Sequence, residues 1–558
     1  MKKVLKYFAF LILLLAILGA IIYFSSSPII SGIVSENLAK KRIASIYKIE
    51  FKHAYFNIFQ MGINITGVEL KPDSSQEIKK LYKFQKYIAK VHIKRVELIQ
   101  LDIIQLINDH KIKIKKIKLI KPSVNLYKNH HYVSSAPKQT VTHDTIGDYK
   151  EIHLNDIHIK GLSFTYFIYK DKKADLLIKN INIDLTEPII DLSQTSSLYD
   201  AITLEDLNIE LNDIVYKDPK DLYEFSIKNI QYLHQENSIN ISHLAVKPHL
   251  NKNKFAKKHA FQSDRFDATL ISISIKDFDV EKYIKKQIIA ISSVDISGLD
   301  LEVYRDKNYP INKGKHPKLL QQALRASKQK FEIESINLQQ SKVVYLEKAP
   351  NAKKTGKLEL TNMQAQISHL GNTKSWQQKQ ALKVHLQAKI YRKANLTINL
   401  NLPLKSNTFY MSGQLGPMKM NSLNAISISN AGIKIKDGLI KKMDFKASLN
   451  SQSSSGSLNL YYQDLEISIL KKQKKSGLIK DSKFLNFIAN KVYLPTQNPN
   501  KRGLFYHGQI SFKRDPNKGV LNYLWKSIFS GLKDTVLKGN KHTKENKAEK
   551  NKKKERKG

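Results

Sequence analysis

The sequence predicts a mainly β protein in which an elongated, curved sheet of repeated strands follows an N-terminal membrane helix. Three observations support this prediction: an uninterrupted apolar run near the N-terminus, a hydrophobic period of two along most of the chain, and a strand unit that recurs at one spacing. The chain has 558 residues, of which 41% are hydrophobic and 25% are charged. This composition is typical of a chain that folds.

The N-terminus has the pattern of a membrane anchor. Lys2, Lys3 and Lys6 precede the apolar run from Tyr7 to Phe24, which is close to the roughly 18 to 20 residues that a membrane-spanning helix needs. We therefore predict a cytoplasmic N-terminus over 1–6 and a transmembrane helix over 7–24, with the rest of the chain across the membrane. A cleaved signal peptide is the alternative, but the run exceeds a signal core of roughly 7 to 15 residues, and no clear cleavage site follows it.

One strand unit recurs with the same apolar offsets. Four strong copies begin at Ile112, Ile152, Ile289 and Phe331. The first copy continues through Ile114, Ile117, Leu119, Pro122, Val124 and Leu126. Weaker copies begin at Val91 and Ile202. Such repetition is typical of an architecture in which each unit buries its apolar face mainly against its neighbours.

The spacing also makes a geometric prediction. Each step of three residues, such as Ile114 to Ile117, breaks strict alternation and requires a bulge, bend or short turn if both side chains face the same side. Bulges at repeated positions curve a sheet. An open apolar groove and a closed sandwich or barrel both satisfy this pattern, and the repeat alone favours the closed core.

The pattern divides the remaining chain into five segments. Residues 25–310 form an N-terminal β-repeat region, and 331–515 form a C-terminal β-sheet region. Pro317 to Lys328, within 311–330, is predicted to form a connecting helix because a proline precedes apolar residues at helical spacing. An amphipathic helix is predicted over 518–537, and a disordered, lysine-rich tail over 538–558.

The amphipathic helix has two interpretations. It either packs over the last strands or lies on a membrane surface with its lysines toward lipid head groups. Its apolar stripe comprises Leu521, Leu524, Trp525, Ile528 and Phe529.

No pattern in the sequence indicates an enzyme. We find no phosphate-binding glycine loop, nucleophile elbow or zinc-binding histidine pair, and the absence of cysteine excludes thiolate catalysis. His130 and His131 are adjacent, so in a strand they would point to opposite faces. We predict no cofactor and no metal.

The net charge of +44 predicts an anionic partner, either acidic lipid or nucleic acid. Lysines alternate with isoleucines throughout the body, however, and a solvated polar face also explains them. Nucleic acid is the less favoured partner because arginine is scarce beside lysine and the predicted anchor places the body outside the cytoplasm.

The chain resembles the AsmA-like family of bacterial envelope proteins. Phe56 to Leu70 is similar to the family's first strand pair, and Val91 to Leu126 is similar to the unit that follows. Gly413 to Gly416, Asn421 to Asn424, Ile433 to Gly438 and Gly456 to Leu465 are similar to its closing strands.

This resemblance implies an elongated β-sheet groove that shields acyl chains, and it shifts the prediction from a closed core to an open groove. It implies an inner-membrane protein with its bulk in the periplasm, whose partners are phospholipid or another acyl lipid, the membrane and other envelope proteins. The predicted function is lipid handling or transfer that contributes to outer-membrane homeostasis, and the alternative is a non-catalytic structural or assembly factor. The predicted lipid-facing residues are Ile112, Ile114, Ile117, Leu119, Ile157, Ile159, Val294, Ile296, Ile336 and Leu338.

Overall fold

The protein is described by a computed structural model over residues 47–72, 86–102, 111–132, 151–168, 173–190, 202–203, 205–379, 381–469 and 495–555. The predicted cytoplasmic N-terminus and transmembrane run lie outside these ranges. No helix within them combines the length and the apolar character needed to cross a bilayer. Strands make up 61% of the described residues and helices 14%, which confirms the mainly β prediction.

The chain divides into two compact units, Met1–Leu244 and Ala245–Gly558. The boundary between them falls within a strand, Ser238–Pro248. The predicted connecting segment, 311–330, therefore lies inside the second unit.

The first unit is built from long, mostly antiparallel strands. In chain order its strands are β1 (Tyr47–Glu50), β2 (His53–Asn57), β3 (Gly62–Pro72), β4 (Tyr87–Leu101), β5 (Lys111–Lys128), β6 (Glu151–Phe167), β7 (Leu176–Thr186), β8 (Ile189–Ile190), β9 (Ile202–Thr203), β10 (Asp206–Lys217), β11 (Tyr223–Leu233) and the boundary strand β12 (Ser238–Pro248). Strands β3, β4 and β5 pair antiparallel in succession, and β6, β7, β10 and β11 do likewise. Strands β5 and β6 join these two runs as a parallel pair.

The second unit combines a longer succession of strands with six α-helices and a short 3-10 helix, Met420–Leu423, in its described residues. Its strands are β13 (Asp264–Lys276), β14 (Ile288–Ser297), β15 (Asp300–Asp306), β16 (Lys330–Lys348), β17 (Gly356–Gly371), β18 (Ala381–Ile390), β19 (Ala394–Pro403), β20 (Phe409–Leu415), β21 (Met418–Lys419), β22 (Ile433–Leu449), β23 (Ser453–Ile469) and β24 (Gly508–Lys513). Its α-helices are α1 (Lys252–Lys257), α2 (Val280–Lys286), α3 (Leu320–Ala326), α4 (Lys374–Lys379), α5 (Asn424–Ala431) and α6 (Val520–Glu555).

Pairing in the second unit mixes the two directions. Strand β13 pairs antiparallel with β14 and β15, and both of these pair parallel with β16. From β16 the succession β17, β18, β19, β20, β22, β23 and β24 is antiparallel throughout.

The sequence repeat corresponds to the two parallel pairings. Ile117 lies beside Ile157 in β5 and β6, and Val294 lies beside Ile336 in β14 and β16, so equivalent repeat positions are direct neighbours. A repeat at constant spacing allows this arrangement, because parallel strands in register align identical positions. The four strong copies thus form two parallel pairs, one in each unit.

The predicted bulges are confirmed at the second three-residue step of the repeat, but the prediction was wrong for the first step, because the antiparallel register is unbroken from Ile114 to Ile117 and from Ile333 to Ile336. The second step runs from the fourth to the fifth position of the repeat. In all four strong copies the residue just before the fifth position has a left-handed backbone conformation: Lys121 (φ 48°), Gly161 (φ 68°), Gly298 (φ 73°) and Gln340 (φ 49°). The register with the next antiparallel strand shifts at this step in β6 and in β16.

The weaker copies differ in how closely they follow this rule. The copy that begins at Val91 has a left-handed residue at the equivalent position, Gln100. In the copy assigned to Ile202 the left-handed residue is Asp213, two positions later than predicted, so that register was wrong.

The predicted helices are present with different bounds. The connecting helix forms as α3, over Leu320–Ala326 only. The amphipathic helix forms as α6 and continues to Glu555, so the prediction of a disordered tail from residue 538 was wrong for most of that segment. Lysine and glutamate are good helix formers, and a polar segment can extend a helix whose first half is already fixed by packing. An ion pair one turn apart, Lys538 Nζ to Asp534 Oδ2 at 2.7 Å, supports the continuation.

Candidate functional site: an apolar sheet face

The predicted lipid-facing residues of the first unit lie in a closed core. Ile117, Leu119 and Ile159 are completely buried, and Ile114 and Ile157 are 1% and 5% exposed. They pack in one cluster with the inward side chains of β3, β4 and β7, including Ile65, Val96, Leu98 and Ile181. The side chain of Ile112 lies outside the described part. In this unit the repeat fills a core, which is the arrangement that the spacing alone favoured.

The equivalent residues of the second unit are more open. Val294 is buried at 8% exposure, but Ile296, Ile336 and Leu338 are only half-buried. These residues align with apolar side chains of the following strands, because the antiparallel register keeps like faces opposite one another. Ile336 pairs with Ile367, Ile367 with Val384, and Val384 with Leu400.

Ile336, Ile367, Val384 and Leu400 form a first row across the strands, and a second row runs beside it. Leu338 pairs with Ala365, which pairs with Leu386, and Leu386 pairs with Ile398. We call the half-buried members of the two rows the open apolar face: Ile296, Ile336, Leu338, Ile367, Val384, Leu386, Ile398 and Leu400. Neighbouring strands lie about 4.8 Å apart, so the four strand-to-strand steps from β14 to β19 give the face a width of about 20 Å.

The open apolar face ends against a buried core. Beyond Leu400, the first row continues to Met411 and Ala447, which are 2% and 7% exposed. Met411 belongs to a cluster that also includes Leu319 at the start of α3 and Tyr523 of α6. Ile367, Val384 and Leu400 of the open apolar face are partly buried and pack against this cluster. The face is therefore continuous with the core of its unit.

Helix α6 covers the last strands with a face of small and polar residues. Tyr523, Ser527, Gly531 and Thr535 are its buried positions, one turn apart. The Ser527 and Ser454 hydroxyls share a hydrogen bond of 2.8 Å. A methyl group built on Gly531 would meet Leu458 and Ile510 at 2.9 Å, so the close approach requires glycine.

The predicted apolar stripe of α6 is divided between two environments. Leu524 and Ile528 pack against the core, in agreement with the packing interpretation, whereas Leu521 and Trp525 are 78% and 54% exposed. The Trp525 and Phe529 rings lie 6.0 Å apart, and Lys526 Nζ lies 5.3 Å from the Phe529 ring centre. Burial lowers the pKa of Lys526, and the nearby Lys307 and Lys518 add to the effect.

Charged side chains pair at the margins of the apolar strands. Glu332 at the start of β16 accepts hydrogen bonds from Lys282 Nζ of α2, at 2.6 Å, and from the Thr373 hydroxyl. Burial alone would raise the pKa of Glu332, but these hydrogen bonds and the charge of Lys282 outweigh it and lower the pKa. The described residues contain no group of three His, Asp or Glu side chains that could hold a metal ion. His130 and His131 lie in the turn after β5, not in the strand itself.

Sequence reasoning missed a second feature of this unit, a polar cleft on the opposite face of the same strands. The sequence signal that could have revealed the cleft was the alternation of polar and apolar residues along the strands, in which Lys383 and His385 flank Val384 in β18.

No protein-family model matches the chain, and no curated protein sequence matches it. The resemblance to AsmA-like proteins therefore stays a prediction from the sequence.

Proposed function

We propose that the protein binds acyl lipid on the open apolar face, as an AsmA-like envelope protein anchored in the inner membrane with its bulk in the periplasm. The observation that supports this proposal is the half-buried state of two aligned rows of aliphatic side chains on β14 to β19. Each methylene that leaves water on such a surface contributes about 0.8 kcal/mol.

The two faces of these strands differ in polarity, and this difference determines which face an acyl chain can bind. Side chains alternate along a strand, so Lys383, His385, Gln387 and Lys389 of β18 point away from the open apolar face. An acyl chain that crosses the strands meets aliphatic groups, while its head group stays in water at the margin. Such binding needs no catalytic residue and no cofactor.

Helix α6 is the proposed contact with a lipid bilayer. Leu521 and Trp525 are exposed on one side of the helix, and Lys518 and Lys526 lie within two turns of both of them in sequence, with Lys533 further along the helix. An exposed tryptophan beside lysines suits the interface of a membrane that carries acidic head groups. In this proposal α6 brings the second unit to the membrane from which lipid is taken.

The test is lipid recovered with the full-length protein after mild extraction, identified and quantified by mass spectrometry. We expect phospholipid or another acyl lipid with the wild-type chain and at least about tenfold less with Leu386→Asp, because an acyl chain excludes a carboxylate. Gln387→Asp is the matched control, since it places the same charge on the next residue and on the opposite face.

A photoreactive phospholipid gives a readout that does not depend on a substitution. Irradiation of the wild-type chain should attach label to peptides that contain β16 to β19. Equal lipid loss from Leu386→Asp and Gln387→Asp, or label distributed without preference for these strands, contradicts the proposal. Recovery of a bound polypeptide in place of lipid would favour the alternative function, a structural or assembly factor whose client occupies the same face.

A further inference from the structure

The polar face of the second unit contains a cleft of about 610 Å³. It crosses strands β17, β18, β19, β20, β22 and β23, on the side opposite the open apolar face. Val384 and Leu400 of the open apolar face also line the cleft, but its polar side chains alternate with them and therefore point to the opposite side of the same strands.

Strand register brings the polar side chains of the cleft together. In one row Lys383 pairs with Asn401, Asn401 with Tyr410, and Tyr410 with Ser448. In the adjacent row lie His385, Asn399, Ser412 and Lys446, which also pair in succession. Alternation along each strand places both rows on the same face.

The chemistry of the lining selects the class of ligand. Lys383 and Lys446 supply positive charge, and the described residues that line the cleft include no carboxylate. Amides and hydroxyls make up most of the remaining polar groups, and these both donate and accept hydrogen bonds. The Nδ1 of His385 lies 2.7 Å from Asn399 Oδ1, which fixes both side chains.

Tyr410 adds a flat surface to this polar lining. Tyr410 is 52% exposed and lines the cleft. An exposed tyrosine ring offers an apolar face together with a hydroxyl group, which suits the alternating C–H faces and hydroxyls of a sugar ring. Among its described residues the lining contains no arginine, and its one imidazole, His385, is hydrogen-bonded to Asn399, which leaves Tyr410 as the one phenol or indole ring. Stacking of successive nucleic-acid bases is therefore disfavoured.

We infer that this cleft binds an acidic oligosaccharide, with Lys383 and Lys446 contacting its anionic groups and Tyr410 contacting a sugar ring. The two lysines lie on strands separated by β19 and β20, so a chain of several sugar units is needed to reach both. A free oligosaccharide and the sugar head group of an acidic glycolipid share this chemistry.

The experiment measures binding of oligogalacturonate to the full-length protein by isothermal titration calorimetry. The methyl-esterified oligomer, which keeps the hydroxyls and removes the charge, is the control ligand. We expect Lys383→Gln and Lys446→Gln each to weaken oligogalacturonate binding about tenfold, and Tyr410→Ala to do the same, because each removes one direct contact. Lys389→Gln is the matched control variant, since Lys389 is exposed on the same face of β18 but does not line the cleft.

The outcomes separate the proposal from simple charge attraction. Failure of the wild-type chain to bind oligogalacturonate, equal affinity for the esterified oligomer, or equal weakening by Lys389→Gln would overturn it. Vesicles that carry an acidic glycolipid, with and without oligogalacturonate as a competitor, distinguish the two sources. Competition identifies the cleft as the glycolipid head-group site, whereas binding of the free oligomer alone identifies a soluble glycan. Lipid recovery from Lys383→Gln should equal that of the wild type, so failure here leaves the acyl-lipid proposal intact.

Discussion

Val294 lies directly beside Ile336 across the parallel strands β14 and β16, and both residues occupy the same position of the sequence repeat. Ile117 and Ile157 have the same relationship in β5 and β6 of the first unit. The two pairs differ in their surroundings, because Ile117 and Ile157 are enclosed in a core while Ile336 is half-buried. One repeat therefore forms both a closed core and a partly open face.

We predict that the same substitution has different consequences in the two units. Ile157→Asp places a carboxylate at a core position that is only 5% exposed, and we expect a loss of about 3 to 5 kcal/mol in unfolding free energy. Ile336→Asp should cost about 1 to 2 kcal/mol, because its side chain is already partly in contact with water. Urea denaturation and protease resistance of the full-length variants measure the difference.

Ile157→Val is the control for the first unit, and it should cost about 1 kcal/mol. Equal destabilisation by the two aspartate variants would mean that the second unit's face is as closed as the first unit's core. That result would remove the main support for acyl-lipid binding.

The contrast also shows which features the sequence predicts. Strands, the three-residue steps and the bulges at the second step depend on the local spacing of apolar residues, and they were predicted from it. The difference in exposure between Ile117 and Ile336 depends on what packs over each sheet, and two identical spacings carry no information about that. The cleft depends on strand register, which brings Lys383 and Lys446 to one surface from distant parts of the chain.

Helix α6 illustrates the same limit. Its apolar stripe was visible at helical spacing, and Leu524 and Ile528 of the stripe do pack against the core, but the fully buried positions are Tyr523, Ser527, Gly531 and Thr535. Small residues are needed there because the helix approaches Gly508 closely: a methyl group built on Gly508 would lie 2.3 Å from the carbonyl oxygen of Gly531. Hydrophobic periodicity alone identifies a helix but does not reveal a close contact made by glycine and serine.

The left-handed position of the repeat leads to a prediction about stability. Gly161→Ala should lower the unfolding free energy by about 1 to 2 kcal/mol, because an L side chain is disfavoured at φ 68°. The added methyl group itself has room, since its nearest neighbour, Cγ of Lys121, is 3.5 Å away. Thermal unfolding of the variant, followed by circular dichroism, measures the loss.

Gly314→Ala is the control, because Gly314 lies in a turn and does not have a left-handed φ. It should change stability by less than about 0.5 kcal/mol. If both variants unfold at the wild-type temperature, the left-handed kink is not a constraint on the fold.

The ion pair of Glu332 with Lys282 predicts a pH dependence. The pKa of Glu332 in the folded protein lies below its ordinary value of 4.5, so the pair stabilises the fold above that pH, and the stabilisation is lost as the pH falls through the folded-state pKa. Glu332→Gln should therefore cost about 1 to 3 kcal/mol at neutral pH and progressively less in acid. Urea unfolding at a series of pH values measures the gap.

Glu334→Gln is the matched control on the same strand, because Glu334 is exposed. Its effect on stability should be small at every pH. A gap between wild type and Glu332→Gln that stays constant into acid would show that the loss comes from packing and not from the charge of Glu332.

The last prediction concerns the membrane contact of α6, which depends on the exposed side chains of Leu521 and Trp525. The chain has two tryptophans, so Trp376→Phe leaves Trp525 as the only one and makes its fluorescence specific for the helix. In the full-length protein reconstituted into anionic vesicles, we expect a blue-shifted Trp525 emission that is shielded from acrylamide and quenched by brominated lipid. Zwitterionic vesicles should give a weaker shift, because the lysines near the helix then lose their attraction to the head groups.

Leu521→Ser in the same background should reverse most of the shift. Burial of a leucine side chain contributes about 1.5 to 3 kcal/mol, which corresponds to a change of about tenfold or more in the equilibrium constant for binding of the helix to the bilayer. Leu504→Ser is the control, since Leu504 is also exposed but lies outside α6. Emission from Trp525 that is fully quenched by acrylamide in anionic vesicles would show that α6 stays in water, and the lipid would then have to reach the open apolar face without this helix at the bilayer surface.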